Sequence, residues 1–233
     1  VSCGSQTKKL EGAPQVVQPV QYTFTIKNVY PHSTQSYTQG LQYVDGVLWE
    51  GTGEWGESRL QKCELESGKV EVLKSLPRSE FGEGITHYKD YIYQLTWESN
   101  KAYVYDSKGN FIKNITYRGE GWGITTDGER LFMSDGTATI RLVNPETLKT
   151  EGSICVMYNG EPLGNINELE WAEGYIWANV YLTDAIIKIN PETGIVEAYV
   201  DLPALRQRLG DNPDAEALNG ITYNAQSGNL YVT

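Results

Sequence analysis

A chain of 233 residues is long enough to bury a substantial core, as one large all-β domain or as two small ones. Its 24 glycines, 16 tyrosines and 6 tryptophans beside only 2 methionines point to many short strands joined by glycine turns, with little helix. Lys and Arg total 19 against 30 for Asp and Glu, and the net charge of -11 argues against a nucleic acid or an anionic membrane surface as partner while suiting a cationic ligand such as a peptide amino terminus.

The opening Val1-Ser2-Cys3-Gly4-Ser5 looks like the end of a bacterial lipoprotein signal, in which a small residue precedes the cysteine that receives lipid. The stretch from Gln6 to Gln21 is polar and rich in Lys, Gln, Pro and Gly, so residues 1–21 are expected to form a flexible tether, with the folded domain over residues 22–233. No stretch is long enough to span a bilayer. Membrane attachment is therefore expected only through lipid on Cys3, and the place of work is the bacterial cell envelope, periplasmic or surface. Cys63 and Cys155 lie in strand-like runs and read as small buried hydrophobes. Three cysteines without a close pair argue against a zinc site.

Tyr22–Tyr30 alternates like a strand. After it the sequence repeats itself. Gln39-Gly40-Leu41-Gln42-Tyr43, Glu83-Gly84-Ile85-Thr86-His87, Trp122-Gly123-Ile124-Thr125-Thr126, Asn167-Glu168-Leu169-Glu170-Trp171 and Asn219-Gly220-Ile221-Thr222-Tyr223 align, each followed by a turn and a second apolar run. Asn144-Pro145-Glu146-Thr147 and Asn190-Pro191-Glu192-Thr193, like Glu66-Ser67-Gly68-Lys69 and Asp106-Ser107-Lys108-Gly109-Asn110, fall where an outer hairpin must turn. A period of 39 to 52 residues is what a four-stranded antiparallel blade needs, and five copies predict an all-β, five-bladed β-propeller. The Tyr22–Tyr30 strand is expected to close the ring by pairing with the last blade, whose own sequence reaches Thr233 after one hairpin.

In a propeller the first strand of each blade lines the central channel, so Gln39, Glu83, Trp122, Asn167 and Asn219 are predicted to crowd one channel mouth. Carboxamides donate and accept, an indole offers a flat face with one donor, and a carboxylate moves protons. Gly82 and Gly84 beside Glu83 leave room for a ligand to approach. Tyr37, Trp55, Phe81, Trp97 and Tyr181 sit at the ends of the channel-lining hairpins. They either pack in the core or wall the mouth, and as a wall they would raise the pKa of Glu83. The plainer reading of the polar column is a hydrogen-bonded channel network with trapped water.

Taken in order, Tyr37-Thr38-Gln39-Gly40-Leu41, Phe81-Gly82-Glu83-Gly84-Ile85-Thr86, Trp122-Gly123-Ile124-Thr125, Ser134-Asp135-Gly136, Asn167-Glu168-Leu169-Glu170, Asn179-Val180 with Thr183-Asp184, and Leu218-Asn219-Gly220-Ile221 resemble the successive motifs of plant-type glutaminyl cyclases, or glutamine cyclotransferases, a family with bacterial members. The resemblance implies a five-bladed propeller with no required metal or other cofactor. It also implies an activity, closure of a peptide's N-terminal glutamine to pyroglutamate with release of ammonia. By the same resemblance Glu83 is the proton shuttle, Gln39 and Asn167 hold the substrate, and Tyr37, Phe81, Trp97, Trp122 and Tyr181 line the pocket. Asn167 or Gln39 then stabilises the developing oxyanion. Tyr181 stands where some plant members carry Trp. A family lysine in a Thr-Gly-Lys motif follows the last matched run, and a chain ending at Thr233 is expected to lack both that cation and the closing strand.

The implied partners are peptides or proteins with an N-terminal Gln, acted on by a monomer. His87 takes a repeat position held elsewhere by Tyr43, Thr126, Trp171 and Tyr223, so packing is its expected role. His32, in a Pro-His-Ser turn, is expected to fix its loop. Asp135 and Asp184 read as turn formers, and with Glu168 and Glu170 they show no calcium-loop spacing. Two rival functions remain, a non-catalytic propeller holding a peptide end or a sugar, and a calcium-dependent hydrolase.

Overall fold

The computed structural model describes residues 16–210 and 215–233. Cys3 and the first fifteen residues of the expected tether lie outside the described residues.

A short strand, β1 (Val20–Tyr22), precedes a first antiparallel sheet of β2 (Thr38–Val44), β3 (Val47–Thr52), β4 (Arg59–Cys63) and β5 (Val70–Ser75). The second sheet is β6 (Gly82–Tyr88), β7 (Tyr91–Thr96), β8 (Lys101–Asp106) and β9 (Phe111–Thr116). The third is β10 (Ile124–Thr126), β11 (Leu131–Met133), β12 (Thr139–Val143) and β13 (Thr150–Cys155). A two-stranded ribbon of β14 (Met157–Tyr158) and β15 (Glu161–Pro162) leads into the fourth, β16 (Ile166–Ala172), β17 (Tyr175–Val180), β18 (Ala185–Ile189) and β19 (Val196–Asp201). One helical turn and a half, α1 (Pro203–Arg208), precedes a last hairpin of β20 (Ile221–Asn224) and β21 (Asn229–Val232).

The expected outer turns form where the repeat placed them. Asn144 Oδ1 accepts the N–H groups of Glu146 and Thr147 at 2.9 and 3.2 Å, and Asn190 repeats this with Glu192 and Thr193 at 3.0 and 3.2 Å. Each Asx turn is also closed by a main-chain bond, Leu148 N–H to Asn144 O at 2.7 Å and Gly194 N–H to Asn190 O at 2.9 Å.

The blade count differs from the expectation of five. Four sheets hold four or more strands each, and the fifth copy of the repeat is a two-stranded hairpin. The reason is what supplies its outer strands. The segment expected to join it does not form a strand over Thr23–Ser33; instead Val20–Tyr22 lies parallel on β19, Val20 opposite Ala198. Aromatic contact explains the choice. Tyr22 meets Trp177 at 6.4 Å, and Lys188 Nζ sits over the rings of Tyr175, Tyr22 and Trp177. The segment then crosses β21 by side chains alone, through Lys27 Nζ to Asn229 Oδ1 at 2.8 Å and Tyr30 against Tyr231 at 6.2 Å.

The inner strands nevertheless touch in a closed cycle, β2 on β6, β6 on β10, β10 on β16, β16 on β20 and β20 on β2. Apolar layers fill the wedges between sheets: Leu60, Ile85, Ile92 and Tyr105 between the first two; Leu95, Ile124, Leu131 and Met133 between the second and third; Phe132, Ile140, Leu169 and Ile176 between the third and fourth. Trp177, Ile186, Leu202 and Ile221 join the fourth to the hairpin.

At the axis the packing is backbone on backbone. A Cβ on Gly40 would lie 2.3 Å from Ile85 N, one on Gly84 would lie 2.7 Å from Trp122 O, and one on Gly123 would lie 2.2 Å from Asn167 O. Main chain cannot step aside as a side chain can. Gly123→Ala is therefore expected to lower stability by about 3 kcal/mol in a urea titration. Gly152→Ala, whose Cβ would meet Leu142 only at 3.8 Å, should stay within about 0.5 kcal/mol of the parent. Equal effects would refute the axial account.

Candidate functional site

Three of the five leading residues stand on irregularities in their hairpins. The register between β2 and β3 shifts between Thr38 and Gly40, that between β6 and β7 between Gly82 and Ile85, and that between β16 and β17 between Ile166 and Leu169. Gln39, Glu83 and Asn167 fall inside these shifts. A bulge re-aims the side chain it carries, which here releases all three from the alternation of their strands. Gly82 and Gly84 do not open space for a ligand, as the sequence suggested. A Cβ on Gly82 would lie 2.5 Å from Thr52 O, and that of Gly84 would strike the third blade, so both serve contact between blades.

The structure brings the polar column together. Gln39, Glu83, Asn167 and Asn219 are all buried, each no more than 8% exposed. Asn219 Nδ2 donates to Gln39 Oε1 at 2.8 Å and to Thr38 O at 3.1 Å. Gly84 N–H donates to Trp122 O at 2.8 Å, seating Glu83 beside Trp122. Ser134 Oγ donates to Asn167 O at 2.6 Å, while Asn167 Oδ1 and Asn219 Oδ1 have no partner among the described residues.

The expected aromatics form the wall. Phe81 lies 6.2 Å from Tyr37, 5.8 Å from Trp55 and 5.8 Å from Trp97; Trp55 meets Trp97 at 6.4 Å, and Trp122 meets Tyr181 at 5.6 Å. Trp55 is 48% exposed and marks the outer lip. Glu83 accepts no side-chain hydrogen bond among the described residues. Burial holds its carboxyl well above the usual carboxylate range, and the nearby charge of Glu120 adds to the effect. Burial likewise pushes the Tyr37 hydroxyl up, helped by its bond to Glu216 Oε2 at 2.7 Å.

Two residues at this end escaped the sequence reading. Glu120 Oε2 accepts the indole N–H of Trp97 and of Trp122, both at 2.8 Å. Its signal was present, since Gly119-Glu120-Gly121 repeats the glycine-flanked carboxylate seen at Glu83. Glu216, which holds Tyr37, carried no pattern at all.

The remaining acids and histidines have other partners. Glu168 takes the N–H of Ile221 at 2.8 Å and of Leu41 at 3.3 Å, and Glu170 takes that of Tyr223 at 2.8 Å, with burial pushing Glu170 up to about 8. Asp135 accepts from Thr137 Oγ1 at 2.6 Å and Asp184 from Arg206 at 2.8 Å. Among the described residues no three His, Cys, Asp or Glu side chains gather as a metal site. His87 packs edge-on against Trp49 at 4.8 Å, and its Nδ1 lies 2.8 Å from Gln42 Oε1; burial lowers its pKa to about 4. His32 donates to the buried Glu50 at 3.0 Å, fixing the loop as expected. Cys63 is buried with its thiol on Glu50 at 3.1 Å, whereas Cys155 is exposed, contrary to expectation, because β13 is an outer strand.

The model of the glutamine cyclotransferase family matches residues 2–233. Glutaminyl-peptide cyclotransferase of Arabidopsis thaliana is 36% identical over 210 residues, which cover 88% of this chain and 65% of that protein. The chain thus spans just under two thirds of the length of this relative. The crystal structure of Myxococcus xanthus glutaminyl cyclase matches with a TM-score of 0.84 at 33% identity, over 93% of each chain. Virginiamycin B lyase from Staphylococcus aureus matches at 15% identity with a TM-score of 0.52, over 85% of this chain and 64% of its own, a likeness of fold alone.

The raised pKa of Glu83 bears on stability. The folded protein binds this proton more tightly than the unfolded chain, so the stabilisation is full below the unfolded value of about 4.3 and is lost as pH rises towards the folded value. Glu83→Gln, which cannot ionise, should match the parent in melting temperature near pH 4 and exceed it at neutral pH. A variant no more stable at neutral pH would show that the carboxylate is not desolvated.

Proposed function

This chain belongs to the glutamine cyclotransferase family, and from that premise we propose that it closes the N-terminal glutamine of peptides to pyroglutamate and releases ammonia, with Glu83 relaying the proton. The observation that carries the reading is the setting of Glu83, buried with no hydrogen-bond donor among the described residues, next to the main chain of Trp122 and at the end of the ring where the aromatic wall stands.

Ring closure joins the α-nitrogen to the γ-carbonyl carbon and breaks the carbon–nitrogen bond of the γ-amide. The proton leaving the amine ends on the departing nitrogen, and no water is consumed. An α-ammonium has an ordinary pKa near 8 and a glutamate one near 4, a gap of about four units. Raising the carboxyl narrows that gap, so one group can take the proton from the amine and return it to the amide nitrogen. The ammonium itself, once docked, favours the ionised form of Glu83.

Because Asn219 occupies the carbonyl oxygen of Gln39, the amide nitrogen of Gln39 is the end left to donate. That suits Gln39 to the γ-carbonyl oxygen, where charge develops. The unpartnered Oδ1 of Asn167 suits it to an N–H of the folded-back glutamine. Tyr37, Phe81, Trp97, Trp122 and Tyr181 hold the side chain in its bent form and exclude water, which matters because the reaction is already intramolecular and needs mainly orientation.

The test is to incubate the protein with a Gln-initiated peptide and a chelator and follow the mass of the peptide. Loss of one ammonia is expected, with turnover falling about 100- to 10,000-fold in Glu83→Gln while the peptide still binds. A parent protein that binds the peptide and leaves its mass unchanged would convict the reading and favour a non-catalytic binder.

A further inference from the structure

Glu120 stands in the short connection between β9 and β10, at the seam of the second and third blades. One carboxylate oxygen, Oε2, receives Trp97 Nε1 from the second blade and Trp122 Nε1 at the head of the third, each at 2.8 Å. Its main-chain carbonyl accepts Arg141 Nη2 at 2.7 Å. Oε1 takes no hydrogen bond among the described residues. No cation among the described residues lies within ion-pair distance of that carboxylate: the Arg141 guanidinium is committed to the main-chain oxygens of Arg118 and Glu120 and lies 3.6 Å from Asp135.

Resting on the cyclase reading above, we infer that Glu120 is a positioning residue for the reaction: it fixes the faces of Trp97 and Trp122 and keeps a negative charge beside Glu83 against which the substrate ammonium docks. A wall alone needs no charge, since a carboxamide oxygen would receive the same indoles. The two carboxyl groups differ in surroundings. Glu83 is buried with no donor among the described residues, whereas Glu120 is half-buried and accepts two indoles. Burial first, and the Glu120 charge second, hold the Glu83 carboxyl well above its usual range. The Glu120 carboxylate is then the charge against which a substrate ammonium docks beside Glu83. The other titratable or charged groups at this corner are Tyr117, whose hydroxyl donates to Thr96 O, Arg141, and Asp135 at 3.6 Å from Arg141.

The experiment measures kcat, KM and the pH profile of kcat/KM on a Gln-initiated peptide for the parent, Glu120→Gln and Trp97→Phe. Glu120→Gln keeps an oxygen for the indoles and removes the charge. It should raise KM about tenfold, equivalent to one lost charged contact of about 1.4 kcal/mol, with kcat little changed. Removing a neighbouring negative charge also lowers the pKa of Glu83, so the acidic limb of the profile should move to lower pH. Trp97→Phe deletes one N–H, keeps the charge, and should raise KM several-fold with the limb in place; it decides the matter if Glu120→Gln does not fold. An active parent with unchanged KM and limb in Glu120→Gln, or unchanged KM in Trp97→Phe, overturns the role of Glu120 alone. A parent that releases no ammonia overturns the cyclase reading and the role of Glu120 with it.

Discussion

The approach of main chain to main chain around the axis is the constraint on which the molecule depends. Three inner strands present glycine where the next strand's carbonyl or amide arrives, and the close contact leaves no room for any side chain at those points. Residues one step before these glycines are consequently held within reach of each other, because their own backbones are pinned. Gln39, Glu83 and Trp122 each precede such a glycine. The pocket is therefore a by-product of how blades touch.

Dryness and charge meet at the same end. Glu83 gives up solvation and receives no compensating donor among the described residues, an arrangement natural proteins keep where a proton has to move. By contrast the first blade satisfies its buried acid fully. Glu50 accepts from Thr38 at 2.6 Å, Gln61 at 2.7 Å, His32 at 3.0 Å and Cys63 at 3.1 Å, and these bonds outweigh burial and hold it below the usual range. Two glutamates with similar exposure thus shift in opposite directions, and the difference is made by the donors around them.

Much of this was legible in the sequence, because a repeat writes its hairpins into the alternation of apolar residues. The inner hairpins, the Asx turns and the leading residues of each unit followed from alignment of the chain with itself. Closure did not. Whether Tyr22–Tyr30 joins the last hairpin or the fourth blade depends on Tyr22 finding Trp177 and Lys188, contacts made between residues more than 150 positions apart. The purpose of Gly82 and Gly84 was misjudged for a related reason, since a glycine reads the same whether a ligand or a neighbouring strand needs the room. Glu120 was overlooked because it stands before the aligned position rather than on it, and its role appears only when two indoles from different blades converge.

In the fourth unit the glycine is replaced by Glu168, and that exchange bears on the order of assembly. Its carboxylate grips the amides of Leu41 and Ile221, 127 and 53 residues away along the chain. Contacts of such separation form late, after the local hairpins have closed their own short loops. During synthesis Leu41 emerges long before its clasp and Ile221 long after, so Glu168, like Glu170 on Tyr223 and Asn219 on Gln39, can tie the ring only once residues beyond Ile221 have been made.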